Sequence, residues 1–252
     1  MIGAMVAAVL LAKTSLLVAF PAAVAAGCLA GAIVALFVLI PLKRASMISL
    51  IIITIGTSIM FRGLAQLFWG EGAIPAPPFT GVRVHGFLED REFHLFGAFI
   101  RAQELWVVGV TAMLVIGMHI FFRYTLLGQA MRACSINQLG ARLVGINVSR
   151  MITTSFVMAA GLGAIAGVVV SPVFYAKCNM GTALGLSGFC AAVLGGLGNF
   201  GGGVAAGIIL GIVESLTGGL LWSDYKDAVA FVILLAILLI RPEGVLRKRV
   251  EA

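Results

Sequence analysis

The sequence predicts an all-α fold, a polytopic transmembrane helical bundle, and three observations carry that prediction. Hydrophobic residues fill 61% of the 252 positions and charged residues 11%, against about half and about a quarter in a soluble domain. Apolar runs recur that are long enough to cross a hydrocarbon core of about 30 Å. Arginine and lysine are concentrated in some of the intervening loops and acidic residues in another. With a mean hydropathy of +1.13, most of the chain must take the bilayer as its solvent. Hydrocarbon offers no partner to backbone amides, so the spans must be helices. The 32 glycines suit this, because small residues let membrane helices approach closely.

The elements follow in order along a single transmembrane domain over residues 1–252. Met1 to Ala12 is apolar but stops at Lys13; at about 1.5 Å per residue it reaches roughly 18 Å, too short to cross. Leu16 to Ile40 is long enough, and Lys43-Arg44 follow it. Ile48 to Trp69, with Arg62 near its far end, crosses next. Then come Leu105 to Phe122, Met151 to Val170 and, last, Ala228 to Ile240 with some preceding residues. Between the last two lies a Gly/Ala-rich stretch, Leu184 to Leu216. The run Gly195, Gly196, Leu197, Gly198, Asn199 reads as a turn between two short helices, giving about six to eight membrane segments in all. The second of these helices carries Gly203, Gly207 and Gly211 at four-residue spacing, which reads either as a packing face or as a pathway lining.

Charge sets the orientation. The loop from Arg123 to Arg150 has four arginines and no acidic residue. Glu71 to Glu104 has five acidic residues against three arginines, and Pro75, Pro77 and Pro78 exclude a helix at its start. The loop 123–150 and the Arg/Lys-bearing C-terminus are therefore expected in the cytoplasm, with the loop 70–104 outside. Parity then requires 184–216 to cross twice or to dip and return, with its glycine turn toward the cytoplasm. It also makes Met1 to Ala12 run outward from mid-membrane, which predicts a further segment upstream.

Several chemistries fail on the residues. The net charge of +7 belongs to cytoplasmic loops and not to nucleic-acid binding. Cys28, Cys134, Cys178 and Cys190 show no metal-ligand spacing, and Ala25 to Cys28 is a poor lipidation site because the apolar run continues past it. Gly185-Leu186-Ser187-Gly188 resembles an intramembrane serine-protease motif, but His85, His94 and His119 lie on no helix after the serine. Ser187 is read as a small interhelical residue. No Gly-Lys dipeptide exists, so the usual phosphate loop is absent and ATP-driven work needs a partner. No cofactor or metal is expected, and the chain is read as a non-enzyme. Charged residues within spans are functional candidates by default: Arg62, and Glu214, which is expected to face Lys226 or the outer water.

The most informative segment is Gly128 to Asn147. It alternates small, aliphatic and basic residues at helical spacing, with Met131, Ile136, Leu139 and Leu143 on one side and Arg132 and Arg142 among them. Gly145 and Asn147 end it. An acid-free amphipathic helix between spans is either a docking element for a cytoplasmic partner or an interfacial helix on anionic lipid.

This segment, Gly128 to Val148, resembles the cytoplasmic loop of the branched-chain amino acid ABC permeases of the LivH type. The glutamate-alanine-alanine core of that motif stands here as Leu139-Gly140-Ala141, without the acid, and its later glycine is Gly145. Other stretches agree in order: Pro41 to Arg44, Ile53 to Ser58, Ala191 to Gly198, Tyr225 to Phe231 and Arg241 to Gly244. The family's first helix has no counterpart. The resemblance implies a permease of the bacterial plasma membrane, paired with a second permease subunit, cytoplasmic ATP-binding subunits and an external solute-binding protein. It implies that Arg132, Asn137, Leu139, Gly140, Ala141, Arg142, Gly145 and Asn147 couple the permease to the ATPase. The rival reading is a stand-alone secondary transporter or channel.

Overall fold

The structure, a computed structural model, describes residues 1–11, 15–39, 47–70, 72–79, 82–84, 87–89, 92–95, 98–196, 198–220 and 232. Lys43-Arg44, the motif Pro41 to Arg44, the cluster Asp224, Lys226 and Asp227, the last apolar run and the basic C-terminus lie outside the described residues. By Cα proximity the chain forms two compact units, Met1–Met180 and Gly181–Ala252.

In the first unit, α1 (Ile2–Leu11) precedes α2 (Leu16–Ile33), which continues as a π-helical turn over Val34–Leu39. Then come α3 (Met47–Trp69), α4 (Ala102–Tyr124), the short α5 (Leu126–Ile136) and α6 (Gln138–Leu143), and α7 (Val148–Phe174). The second unit holds α8 (Met180–Gly195, which begins at the boundary) and α9 (Phe200–Leu220). Five helical stretches among the described residues are long and apolar enough to cross a membrane: Leu16–Phe37, Ile52–Trp69, Ala102–Tyr124, Val148–Phe174 and Phe200–Gly219. Ile2–Leu11 and Met180–Gly195 are apolar but shorter. The bundle is all-α as expected, and the loop before α4 adds two small antiparallel hairpins that periodicity did not suggest. Strand β1 (Val82–Val84) pairs with β2 (Phe87–Glu89), and β3 (Glu92–Leu95) with β4 (Ala98–Arg101).

The core of the first unit is built from small residues. Along α2 and its extension, Ala19, Ala23, Gly27, Gly31 and Ala35 recur every four positions, and all are buried. Four-residue spacing puts them on one helix face, and that face meets α7. A methyl group on Gly27 would come within 2.5 Å of the Ala164 Cβ. One on Gly31 would sit 2.8 Å from the Phe156 carbonyl oxygen. Gly3 of α1 closes on the same Ala164, so three helices share one seam. Cys28 lies mid-helix on α2, facing Gly161 of α7. Large side chains point the other way: Leu17, Phe37, Leu67, Phe68 and Met113 are all more than three-quarters exposed. In water such a surface would be an aggregation patch; in lipid it is the solvated face.

One buried polar residue, Gln103, ties one end of this unit together. Pro172 lacks the amide that would bond the Val168 carbonyl, and the Ser171 hydroxyl donates to that oxygen at 2.9 Å. The next carbonyl, Val169, accepts from the Gln103 side-chain amide of α4 at 2.8 Å. The Gln103 Oε1 accepts from the Phe79 amide at 3.2 Å, while the Phe79 ring meets Trp106 edge-on. Beyond α7 the chain turns at Tyr175, whose φ of 59° is unusual for a side-chain-bearing residue. Ala176 then pairs with Ile74 through two backbone hydrogen bonds.

Candidate functional site

The segment singled out by its basic, acid-free pattern forms an elbow between α4 and α7. It is two helices and not one. Thr125 caps α5 by accepting from the Gly128 amide at 3.1 Å, and Gly128 is required there because any Cβ would strike the Phe121 carbonyl. Asn137 divides the segment. Its amide donates to the Ala133 carbonyl to end α5, and its side-chain oxygen accepts from the Leu139 and Gly140 amides, both at 3.0 Å, to start α6. An Asx cap of this kind satisfies amides that a continuous helix would have bonded internally. Gly145, with φ of 88°, stops α6, as its position suggested. Asn147 does not belong to that stop. It is the N-cap of α7, accepting from the Arg150 amide at 3.1 Å.

The break redistributes the apolar side chains. A single stripe of Met131, Ile136, Leu139 and Leu143 does not form. Met131 and Cys134 of α5 turn inward with Ala141 of α6 and Val148, packed against Ile146, Met151 and Ile152. Ile136, Leu139, Leu143 and Val144 turn outward, each between 71% and 84% exposed. Arg132, Asn137, Arg142, Gly145 and Asn147 are exposed too, Gly140 is half-buried and Ala141 is buried. Ala141 is thus an anchor of the elbow and not part of its outer surface. Ile136, Leu143 and Val144 belong to that surface, and the division at Asn137 is the signal that would have placed them there. The result is an apolar knuckle flanked by two arginines.

In the second unit, the glycine turn forms as read. Gly196 and Gly198 adopt φ of 86° and 95°, and the Asn199 side chain accepts from the Gly202 amide at 3.2 Å to start α9. Close packing falls elsewhere than expected. Gly195 and Gly202 meet backbone to backbone with no room for a Cβ on either. From there Ala206 and Leu210 continue the buried row against Cys190, Ala191 and Leu194 of α8. The row Gly203, Gly207, Gly211 is not the seam with α8. Among the described residues, a Cβ on Gly203 or Gly211 would meet nothing within 4 Å, and one on Gly207 only Ala191 at 3.8 Å. Glu214 accepts a 3.0 Å hydrogen bond from Ser187 of α8. Ser187 is therefore an interhelical residue, as the missing histidine implied. Among the described residues, no group of three or more His, Cys, Asp or Glu side chains is placed to hold a metal ion.

A polytopic bundle with a basic elbow and a glycine hairpin matches one family along nearly its whole length. The family model described as the branched-chain amino acid transport system permease component matches residues 1–238. The chain belongs to this family. It is 37% identical over 217 residues to the high-affinity branched-chain amino acid transport system permease protein LivH of Escherichia coli (strain K12), covering 84% of this chain and 68% of that protein. It is 34% identical over 216 residues to the permease protein BraD of Pseudomonas aeruginosa, with the same coverage. A more distant relative, the xylose/arabinose import permease protein XylH of Sulfolobus acidocaldarius, is 28% identical over 168 residues, 65% of this chain and 42% of that protein. No solved structure matches. The permease is thus a multi-pass membrane subunit of an ABC importer and a transport component.

Proposed function

We propose that this permease forms half of the translocation pathway of an ATP-driven importer for branched-chain amino acids or related small polar solutes. It works beside a second permease subunit, over cytoplasmic ATP-binding subunits and beneath an external solute-binding protein. The observation that carries this reading is the elbow: four exposed aliphatic side chains on a rigidly capped helix pair, flanked by Arg132 and Arg142. Such a knuckle fits an apolar groove with an acidic rim on an ATPase, where a desolvated aliphatic centre supplies affinity and rim charges supply register. The arginine-rich 123–150 loop belongs on the cytoplasmic side, with the C-terminus. The hairpin-bearing loop 70–104 then faces the solute-binding protein. Relatives are named for both amino acids and sugars, and in this reading the external binding protein sets the specific solute. ATP binding would move the elbow, and α7, packed against it, would carry that movement into the membrane.

The test is affinity purification of the tagged permease from its native membranes in mild detergent. The wild type is expected to bring down an ATPase and a second permease. Leu139→Asp with Leu143→Asp is expected to lose the ATPase and keep the second permease. Transport by the chain alone in liposomes, without ATP, would replace this reading with a secondary transporter.

A further inference from the structure

We propose that residues 172–176, at the end of α7 far from the elbow, form a strained latch that holds the strap 72–79 and releases it when α7 moves. That ATP drives the release rests on the importer reading above; the latch itself does not.

The strap lies between α3 and the hairpins, and its own sequence makes it stiff. Pro75, Pro77 and Pro78 take three of its eight positions, fixing φ and removing amide donors. Two of the amides it keeps are tied across the end of α7. Ile74 donates to the Ala176 carbonyl at 2.9 Å, and its own carbonyl accepts from the Ala176 amide at 3.0 Å. Phe79 donates to Gln103 Oε1 at 3.2 Å, and the Gln103 side-chain amide donates to the Val169 carbonyl at 2.8 Å. Ala76 of the strap shares one buried cluster with Ala176, Cys178, Ala65 of α3 and Met5 of α1.

Between these two ties the backbone of α7 runs into strain. Tyr175 adopts φ 59° and ψ 147°, close to a region that essentially glycine alone occupies without cost. Its side chain is 53% exposed, so its conformation is held by its neighbours, the paired Ala176 after it and α7 before it. Three residues earlier Pro172 interrupts the helix ladder, leaving the Val168 carbonyl to the Ser171 hydroxyl. Strain of this kind persists only where the surroundings over-determine it. A gap in the ladder, a strained residue and a two-bond backbone pair thus follow one another within five residues. A shift of α7 at Pro172 parts the Ile74–Ala176 pair and relaxes Tyr175 in the same step. The prolines then make the strap leave as one piece.

The experiment follows hydrogen exchange of the strap amides in the complete transporter in lipid nanodiscs, since exchange reports local opening. Ile74 is the main reporter, because substitution at Tyr175 leaves its sequence neighbours unchanged. Tyr175→Ala removes the ring and keeps the strain; Tyr175→Gly removes both. Without nucleotide, Ile74 is expected to exchange about tenfold more slowly in Tyr175→Gly than in Tyr175→Ala, as relief of strain favours the closed latch. With ATP and vanadate, Ile74 and Phe79 of the wild type are expected to exchange about tenfold faster than without nucleotide. Equal exchange in the two variants, or faster exchange in Tyr175→Gly, overturns the proposal, because no strain is then stored. Wild-type exchange that ATP and vanadate leave unchanged, in a complex that hydrolyses ATP, overturns it as well. A wild-type complex that hydrolyses no ATP sinks the importer reading instead, and the comparison of the two variants still decides the latch.

Discussion

At the residue scale the permease is governed by positions where a side chain is absent. Gly31 faces the Phe156 carbonyl and the Ala160 Cβ, so Gly31→Leu is expected to force α2 from α7 and cost about 1–3 kcal/mol. A Cβ on Gly63 of α3 would meet nothing within 4 Å among the described residues, and Gly63→Leu is expected to leave stability nearly unchanged. Thermal unfolding of the two variants in detergent makes the comparison. Gln103 is the polar counterpart. Gln103→Leu would strand the Phe79 amide and the Val169 carbonyl, each orphaned group costing about 1–3 kcal/mol, and the same melt would register it. Neither role was legible in the sequence. The four-residue spacing of Ala19, Ala23, Gly27 and Gly31 was present but lay inside an apolar run, where alanine reads merely as hydrophobic. Gln103 sits in a loop-edge position whose partners, Phe79 and Val169, are remote in sequence. By contrast, Gly145, Gly196 and Gly198 were legible, because a turn needs φ above zero and glycine supplies it locally.

Elements were read well wherever a span stood alone and less well where short helices meet. The apolar runs marked α2 with its extension, α3, α4 and α7 to within about four residues, since hydrophobic length is a direct demand of the bilayer, whereas α9, read as a short helix, runs 21 residues and is long enough to cross. The elbow was read as one helix because its apolar spacing runs through Asn137 without interruption. What periodicity omits is that an asparagine can cap both sides of a break. Asn137→Ala should therefore act locally. Loss of the cap is worth about 1 kcal/mol, which corresponds to roughly fivefold faster hydrogen exchange of the α6 amides. Exchange in α5 is expected to change little, as Thr125 caps it independently; mass-resolved exchange on the intact complex separates the two. The row Gly203, Gly207, Gly211 was visible in the sequence, but the seam lies one position earlier at Gly202, a distinction that spacing alone does not make.

For the whole molecule, the distribution of side-chain size is inverted relative to a soluble protein. Buried positions are dominated by alanine and glycine, and the leucines, isoleucines and phenylalanines of α2, α3 and α4 face outward. A nitroxide at Leu17 or Met113 is thus expected to relax strongly with dissolved oxygen in the bilayer. One at Ala23 or Val168, both fully buried, should be shielded, and comparable oxygen access at all four positions would contradict the packing. Composition announced this inversion, although it could not say which helices are neighbours.

The alanine–glycine seam has a mechanical consequence. Interfaces made of long side chains absorb displacement by changing rotamers, whereas backbone pressed on backbone has no rotamers to change. Across Gly27, Gly31, Ala160 and Ala164, then, α2 and α7 behave as one stiff double rod. The elbow grips the near end of α7 through Val148, Met151 and Ile152, and Gln103 holds its far end near Pro172. A push on the elbow is delivered some 40 Å away, across a helix of 27 residues, with little lost to give in between.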